Sequence, residues 1–196
     1  MKKMFWWLLP VCFALSACPY ESAVPMASGP TEPVDSSLLG YWYGIIKDGS
    51  DFWGIEALEI TQQSDSMYAI TRYGKGVKGD MILPDTAYYT GFTSYIGERR
   101  FMNIQGFVTI TVPRRNKEPE IRKDKIYYLS LLERNHDTLS VRTVTEGFTP
   151  SRRVLKTPDE LKRLVSETLD QQKNIYDEQY TLSYRKIQKP QPLKTF

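Results

Sequence analysis

From Gly40 to Thr145 the chain repeats one pattern. A short run rich in Tyr, Ile, Val, Thr and Phe is followed by a cluster of turn residues, and then the pattern starts again. Such runs occur at residues 40–47, 53–62, 67–73, 87–96, 100–112, 125–134 and 138–145. β-branched and aromatic side chains pack well on a pleated surface, and runs of this length bounded by turn chemistry read as strands. The breaks include Lys47-Asp48-Gly49-Ser50, Gln63-Ser64-Asp65-Ser66 and Asn135-His136-Asp137, all built from residues that close tight turns. In the fifth run Met102, Ile104, Val108, Ile110 and Val112 fall on one face at period two, and Gly106 lies among them. A weaker strand is expected at 77–83 and a last one at 179–187.

One stretch breaks the alternation. Thr157-Pro158-Asp159-Glu160 is a capping box with proline at the first helical position, and Leu161, Leu164, Val165 and Leu169 follow at helical spacing. Seven to nine strands with one amphipathic helix before the last predict a mostly β chain. An antiparallel barrel or a sandwich would satisfy the pattern, and closure would remove the exposed edges. Gly40-Tyr41-Trp42 on the first strand resembles the Gly-x-Trp of lipocalin-like barrels. The helix ahead of the final strand fits the same family. The resemblance implies that Trp42 plugs the closed end of the barrel and that a basic side chain stacks on it. Arg142 and Arg185 are the candidates. The Thr-Asp-Tyr turn motif of the family is absent.

The amino-terminal residues carry a different message. Met1-Lys2-Lys3 precedes an uncharged stretch from Met4 to Leu15. Twelve apolar residues are too short for a spanning helix, which needs about 20. A basic start, a short apolar core and small residues at its end describe an export signal. Leu15-Ser16-Ala17-Cys18 resembles the lipobox of bacterial lipoproteins. That resemblance implies removal of residues 1–17, attachment of a diacylglyceryl group to the Cys18 sulfur, and acylation of the new amino end, usually by palmitate. Pro19-Tyr20 lacks the Asp that retains such proteins in the inner membrane. The expected location is the outer membrane, facing the periplasm. Two or three acyl chains on one residue would hold the chain there durably, at about 0.8 kcal/mol per buried CH₂. The only cysteines are Cys12 and Cys18, so the mature chain has no intramolecular disulfide and must rely on its core.

Residues 18–38 follow as the lipidated cysteine and a tether rich in proline and serine, flexible by composition. Residues 39–187 form the single barrel-like domain, and 188–196, with two prolines and two lysines, make a disordered end. The whole chain has a net charge of +3, of which Lys2 and Lys3 supply two, so no nucleic-acid footprint remains after cleavage.

The residue inventory points away from catalysis. The single histidine, His136, sits in a turn, and Ser183 and Lys186 lie three apart on a strand and so point to opposite faces. With one histidine and a lipidated cysteine, neither a metal site nor a cofactor is expected. Binding is the better prospect, because aromatic residues are 13% of the chain and crowd the predicted strands. Tyr43, Tyr89, Phe92 and Tyr127 are the candidate lining of a pocket for a small apolar or amphipathic ligand. The mixed-charge stretch from Pro113 to Lys125 is a candidate contact for headgroups or a protein. The competing expectation is a protein-interaction module, either an accessory of an envelope assembly or a periplasmic inhibitor of the immunity type.

Overall fold

The computed structural model describes residues 19–48, 52–78, 81–112, 114, 118–149 and 155–189. Eight strands run in order: β1 (Gly40–Asp48), β2 (Phe52–Ser64), β3 (Met67–Lys78), β4 (Met81–Ile96), β5 (Arg99–Val112), β6 (Glu120–Asn135), β7 (Thr138–Val144) and β8 (Tyr176–Ile187). Helix α1 (Pro158–Asp170) lies between β7 and β8. Each strand pairs antiparallel with the next, and β8 returns to β1 through Tyr41–Gly44 against Tyr184–Ile187, which closes the barrel. The chain is thus mostly β, with the expected barrel and a single helix before the last strand among the described residues.

Three strands, β3, β4 and β6, are several residues longer than expected. The weak strand at 77–83 is the tip of the β3–β4 hairpin, where Lys75 pairs with Pro84 and Lys78 with Met81. The β4–β5 ladder is recorded only from Thr90 onward, so Pro84, which has no N–H to donate, lies where that edge of β4 is free. The charged stretch after Val112 is likewise no long loop, since Glu120–Lys125 pair with Phe107–Val112. The charges keep an otherwise open edge solvated.

Side-chain alternation then produces two cores. Met102 and Ile104 on β5 point into the barrel, while Phe101 and Asn103 point out. Leu38, Trp42, Tyr68, Met102, Leu139 and Tyr184 pack together inside the barrel, with Leu38 and Trp42 at one end. Outside the wall, Phe101, Leu129 and Leu131 pack under Leu161 and Val165 of α1. The helix starts as its sequence requires. Thr157 Oγ1 accepts from Glu160 N at 3.2 Å, and Glu160 turns back to accept from Lys156 N at 2.9 Å.

The segment expected to be a flexible tether is packed on the barrel. β6 extends well past the end of β7, and residues 19–26 take up the free edge and the face beside it. Tyr20 N donates to Val144 O at 2.8 Å, and Ser22 and Tyr127 exchange two backbone bonds at 2.9 and 2.8 Å. Met26 is 1% exposed, and its N–H donates to Asn103 Oδ1 at 2.7 Å. Further on, Val34 N donates to Asp65 O, Asp35 N to Tyr68 Oη, and a 3₁₀ turn at Ser36–Leu38 leads into β1. Proline and serine made the segment look like coil, yet they suit an extended chain whose few apolar side chains each find a slot. The carboxyl end begins in the same way. Lys189, in the stretch expected to be disordered, pairs with Glu59 at 2.5 Å and lies over Tyr41. Residues 190–196 lie outside the described residues.

Candidate ligand cavity

One end of the barrel is filled. Trp42 is completely buried, and its Nε1 donates to Leu38 O at 2.8 Å. The cation over its ring is Lys186, with Nζ 5.2 Å from the ring centroid, and this corrects the choice of Arg142 or Arg185. Lys186 is the register partner of Trp42 in the closing β1–β8 ladder, so both face the same way, whereas Arg185 points outward. Arg142 pairs with Glu133 and lies over Tyr176. Lys186 Nζ also donates to Ser37 O at 3.2 Å, tying the 3₁₀ turn to the plug. Gly40 permits this approach: its φ is +124°, and a Cβ there would meet Lys186 Cε at 3.1 Å.

Above the plug lies a cavity of about 340 Å³, at the small end of the range for ligand pockets. Its floor is apolar, formed by Ile60, Ile70, Met102, Leu132 and Leu139. Polar groups gather higher up, towards the end that carries the β1–β2, β3–β4 and β5–β6 connections. Tyr184 Oη donates to Glu56 Oε1 at 2.5 Å, and Arg72 Nη1 lies 4.0 Å from Glu56 Oε2. Burial, and then the Glu56 carboxylate, push the Tyr184 hydroxyl far above the ordinary phenol range. It therefore stays a donor. Gly44 makes room for its ring, since a Cβ there would stand 2.8 Å from Tyr184 Cδ1. Tyr128 is pushed up to about 12, first by burial and then by Glu21, whose carboxylate accepts its hydroxyl proton at 3.0 Å. Ser130 and Thr143 share a hydroxyl contact at 3.0 Å, and Pro19 completes the rim.

Of the expected lining, Tyr89 is in the cavity. The other three are not. Tyr43 neighbours the inward Trp42 and so sits half-buried on the outer face. Phe92 is buried, but on the outside beside Asn103, whose Nδ2 is 3.3 Å from its carbonyl. Tyr127 faces outward, its backbone paired with Ser22, and its neighbour Tyr128 takes the inward position. Glu56, Arg72 and Tyr184 were missed. Glu56 had a signal: in Glu56, Leu58 and Ile60 it is the one charged residue on the inward face of β2. Cys18 lies outside the described residues. His136 is exposed in the β6–β7 turn with φ +51°. Among the described residues no three His, Cys, Asp or Glu side chains gather as metal ligands would.

A lining that is mostly apolar, with several hydroxyls, one carboxylate and one guanidinium, suits an amphipathic guest with an apolar tail and a hydrogen-bonding head. No protein-family model, curated protein or solved structure matches this chain.

Proposed function

We propose that this chain is a lipid-anchored envelope protein, attached through Cys18, that binds a small amphipathic molecule inside its barrel and catalyses no reaction. The cavity carries the reading. Its lining is mostly apolar, as a tail requires, and the Glu56–Tyr184 pair, Arg72, Tyr128, Ser130 and Thr143 are polar groups that can orient a head without a nucleophile and base placed to attack it. The lipobox resemblance supports the anchor, and Pro19-Tyr20 in place of an inner-membrane retention Asp supports the outer membrane as its site.

The test is native mass spectrometry of the chain released from membranes in mild detergent. The expected result is the mature polypeptide with its acyl groups, plus a further mass that leaves on denaturation. A bare lipidated mass, together with no uptake of a fluorescent apolar probe, would refute the ligand reading.

A further inference from the structure

We infer that the open end of the barrel rests on the bilayer surface, so that the cavity mouth faces lipid. The inference builds on the proposed lipid at Cys18. Three observations carry it.

The first is the absence of slack. Pro19 lines the cavity rim and bridges Thr145, and the next residue is bonded to Val144. Cys18 is one peptide unit away, about 3.8 Å between Cα atoms. With residues 19–26 fixed along β6, an acyl group on Cys18 would sit at the rim of the mouth, with no tether on which the barrel could swing away.

The second is where apolar surface stays uncovered. Apart from Ile187 at the closed end, 38% exposed, the exposed large apolar residues among the described residues are Ile45, Ile55, Tyr88 at 78%, Phe107, Ile110 and Ile121 at 73%. Each falls on the open-end half of its strand, on β1, β2, β4, β5 and β6. Single exposed apolar residues need no explanation, but this distribution does. All but Ile110 point outward, they are spread over five of the eight strands, and Pro19, at the end of β7, lies on the β7–β8 side. A protein partner covers one side of a barrel. A plane across its axis meets every side, and a bilayer interface accepts outward apolar and aromatic side chains at that level.

The third is charge. Pro113–Lys125 holds six basic against three acidic residues in sequence, and its described part, Glu118–Lys125, lies at the same end, where Arg114 pairs with Glu120. Arg122 is paired with Asp124, while Lys123 and Lys125 are exposed on the same strand. The excess favours anionic headgroups. With this orientation, an amphipathic guest passes from membrane to cavity without crossing bulk water.

The test uses the lipidated chain in vesicles of phosphatidylethanolamine and phosphatidylglycerol. Ile121→Cys and Tyr88→Cys each receive a nitroxide, with His136→Cys at the opposite end as reference. A lipidated Cys18 has no free thiol, so the introduced cysteine is the one that reacts. The accessibility of each label to dissolved oxygen is compared with its accessibility to a water-soluble nickel chelate. We expect the oxygen-to-nickel ratio at 121 and 88 to exceed that at 136 severalfold. Equal ratios on a chain whose intact mass includes the acyl groups would overturn this inference and leave the anchor standing. A mass without acyl groups would overturn both. Shielding of 121 from both reagents in native envelopes but not in vesicles would give the surface to a protein, and also overturn the inference.

Discussion

Replacing Trp42 by alanine removes the plug from the barrel floor, and its cost can be worked from the packing. The side chain is fully buried, and a tryptophan covers on the order of 150–250 Å². At about 25 cal/mol per Å² the lost burial amounts to about 4–6 kcal/mol, close to the roughly 3–5 kcal/mol seen when large aromatics are cut back to alanine. The Leu38 carbonyl also loses its donor, and Lys186 loses the ring beneath it. Against a total stability of about 5–15 kcal/mol for a domain, the variant should stand near the edge of folding. Trp42→Phe keeps a ring but not the N–H, and should cost about 1–3 kcal/mol. Lys186→Met alone should cost about 0.5–2 kcal/mol, and nothing further in the Trp42→Ala background beyond its bond to Ser37. The assay is urea unfolding followed by circular dichroism at fixed ionic strength, on chains carrying Cys18→Ser so that each is soluble. Midpoints should fall from wild type through Lys186→Met and Trp42→Phe to Trp42→Ala, with Trp42→Ala well below the other two. A loss below about 2 kcal/mol for Trp42→Ala would refute the plug, because a well-packed tryptophan cannot be removed that cheaply.

Met26→Ala tests the packed amino-terminal segment. It should cost about 2–5 kcal/mol in the same titration, whereas a free tether would give a change within about 0.5 kcal/mol. Asp35 tests the floor by pH. Burial alone would raise its carboxyl, but the hydrogen bonds from Ser37 and the Arg100 guanidinium at 2.7 Å outweigh this and hold it below the ordinary value. A depressed carboxyl adds stability above its unfolded value of 3.8 and loses it as pH falls through the folded value. Wild type should therefore lose stability below that point more steeply than Asp35→Asn; parallel pH profiles would refute the pair. Val141→Trp should fill the cavity, leave the circular dichroism spectrum unchanged and abolish the added mass in native spectrometry. Retention of that mass would place the ligand elsewhere.

The sequence disclosed the elements better than their directions. Strand runs, turns and the capped helix are local, set by propensity and by side chains within a few residues, so the barrel was legible. Facing is not local. Tyr127-Tyr128 and Tyr88-Tyr89 are adjacent pairs, and period two says only that one of each points in. The register fixes which one, and register depends on closure. The same rule did contain a warning that the expectations overlooked: Trp42 and Tyr43 cannot both face the lumen. Lys186 was out of reach for a stricter reason, because its place over Trp42 exists only once β8 has met β1.

The amino-terminal segment shows how composition misleads. Proline, serine and few large apolar residues describe coil when the surroundings are water, and the same residues describe a fitted strap when an unpaired strand edge lies beside them. The edge was itself a consequence of an element that had been read too short. β6 starts at Glu120, and β7 ends at Val144, so residues before Ser130 on β6 have no β7 partner. A backbone edge left open there would cost hydrogen bonds or invite aggregation. Ser22 answers part of that demand by bonding to Tyr127 in both directions. Once the segment lies along β6, Tyr20 and Met26 are carried onto the apolar strip formed by Phe101, Leu129 and Leu131, and the second core is complete. Strap, edge and outer core are thus one device, and its first residue stands at the rim of the cavity.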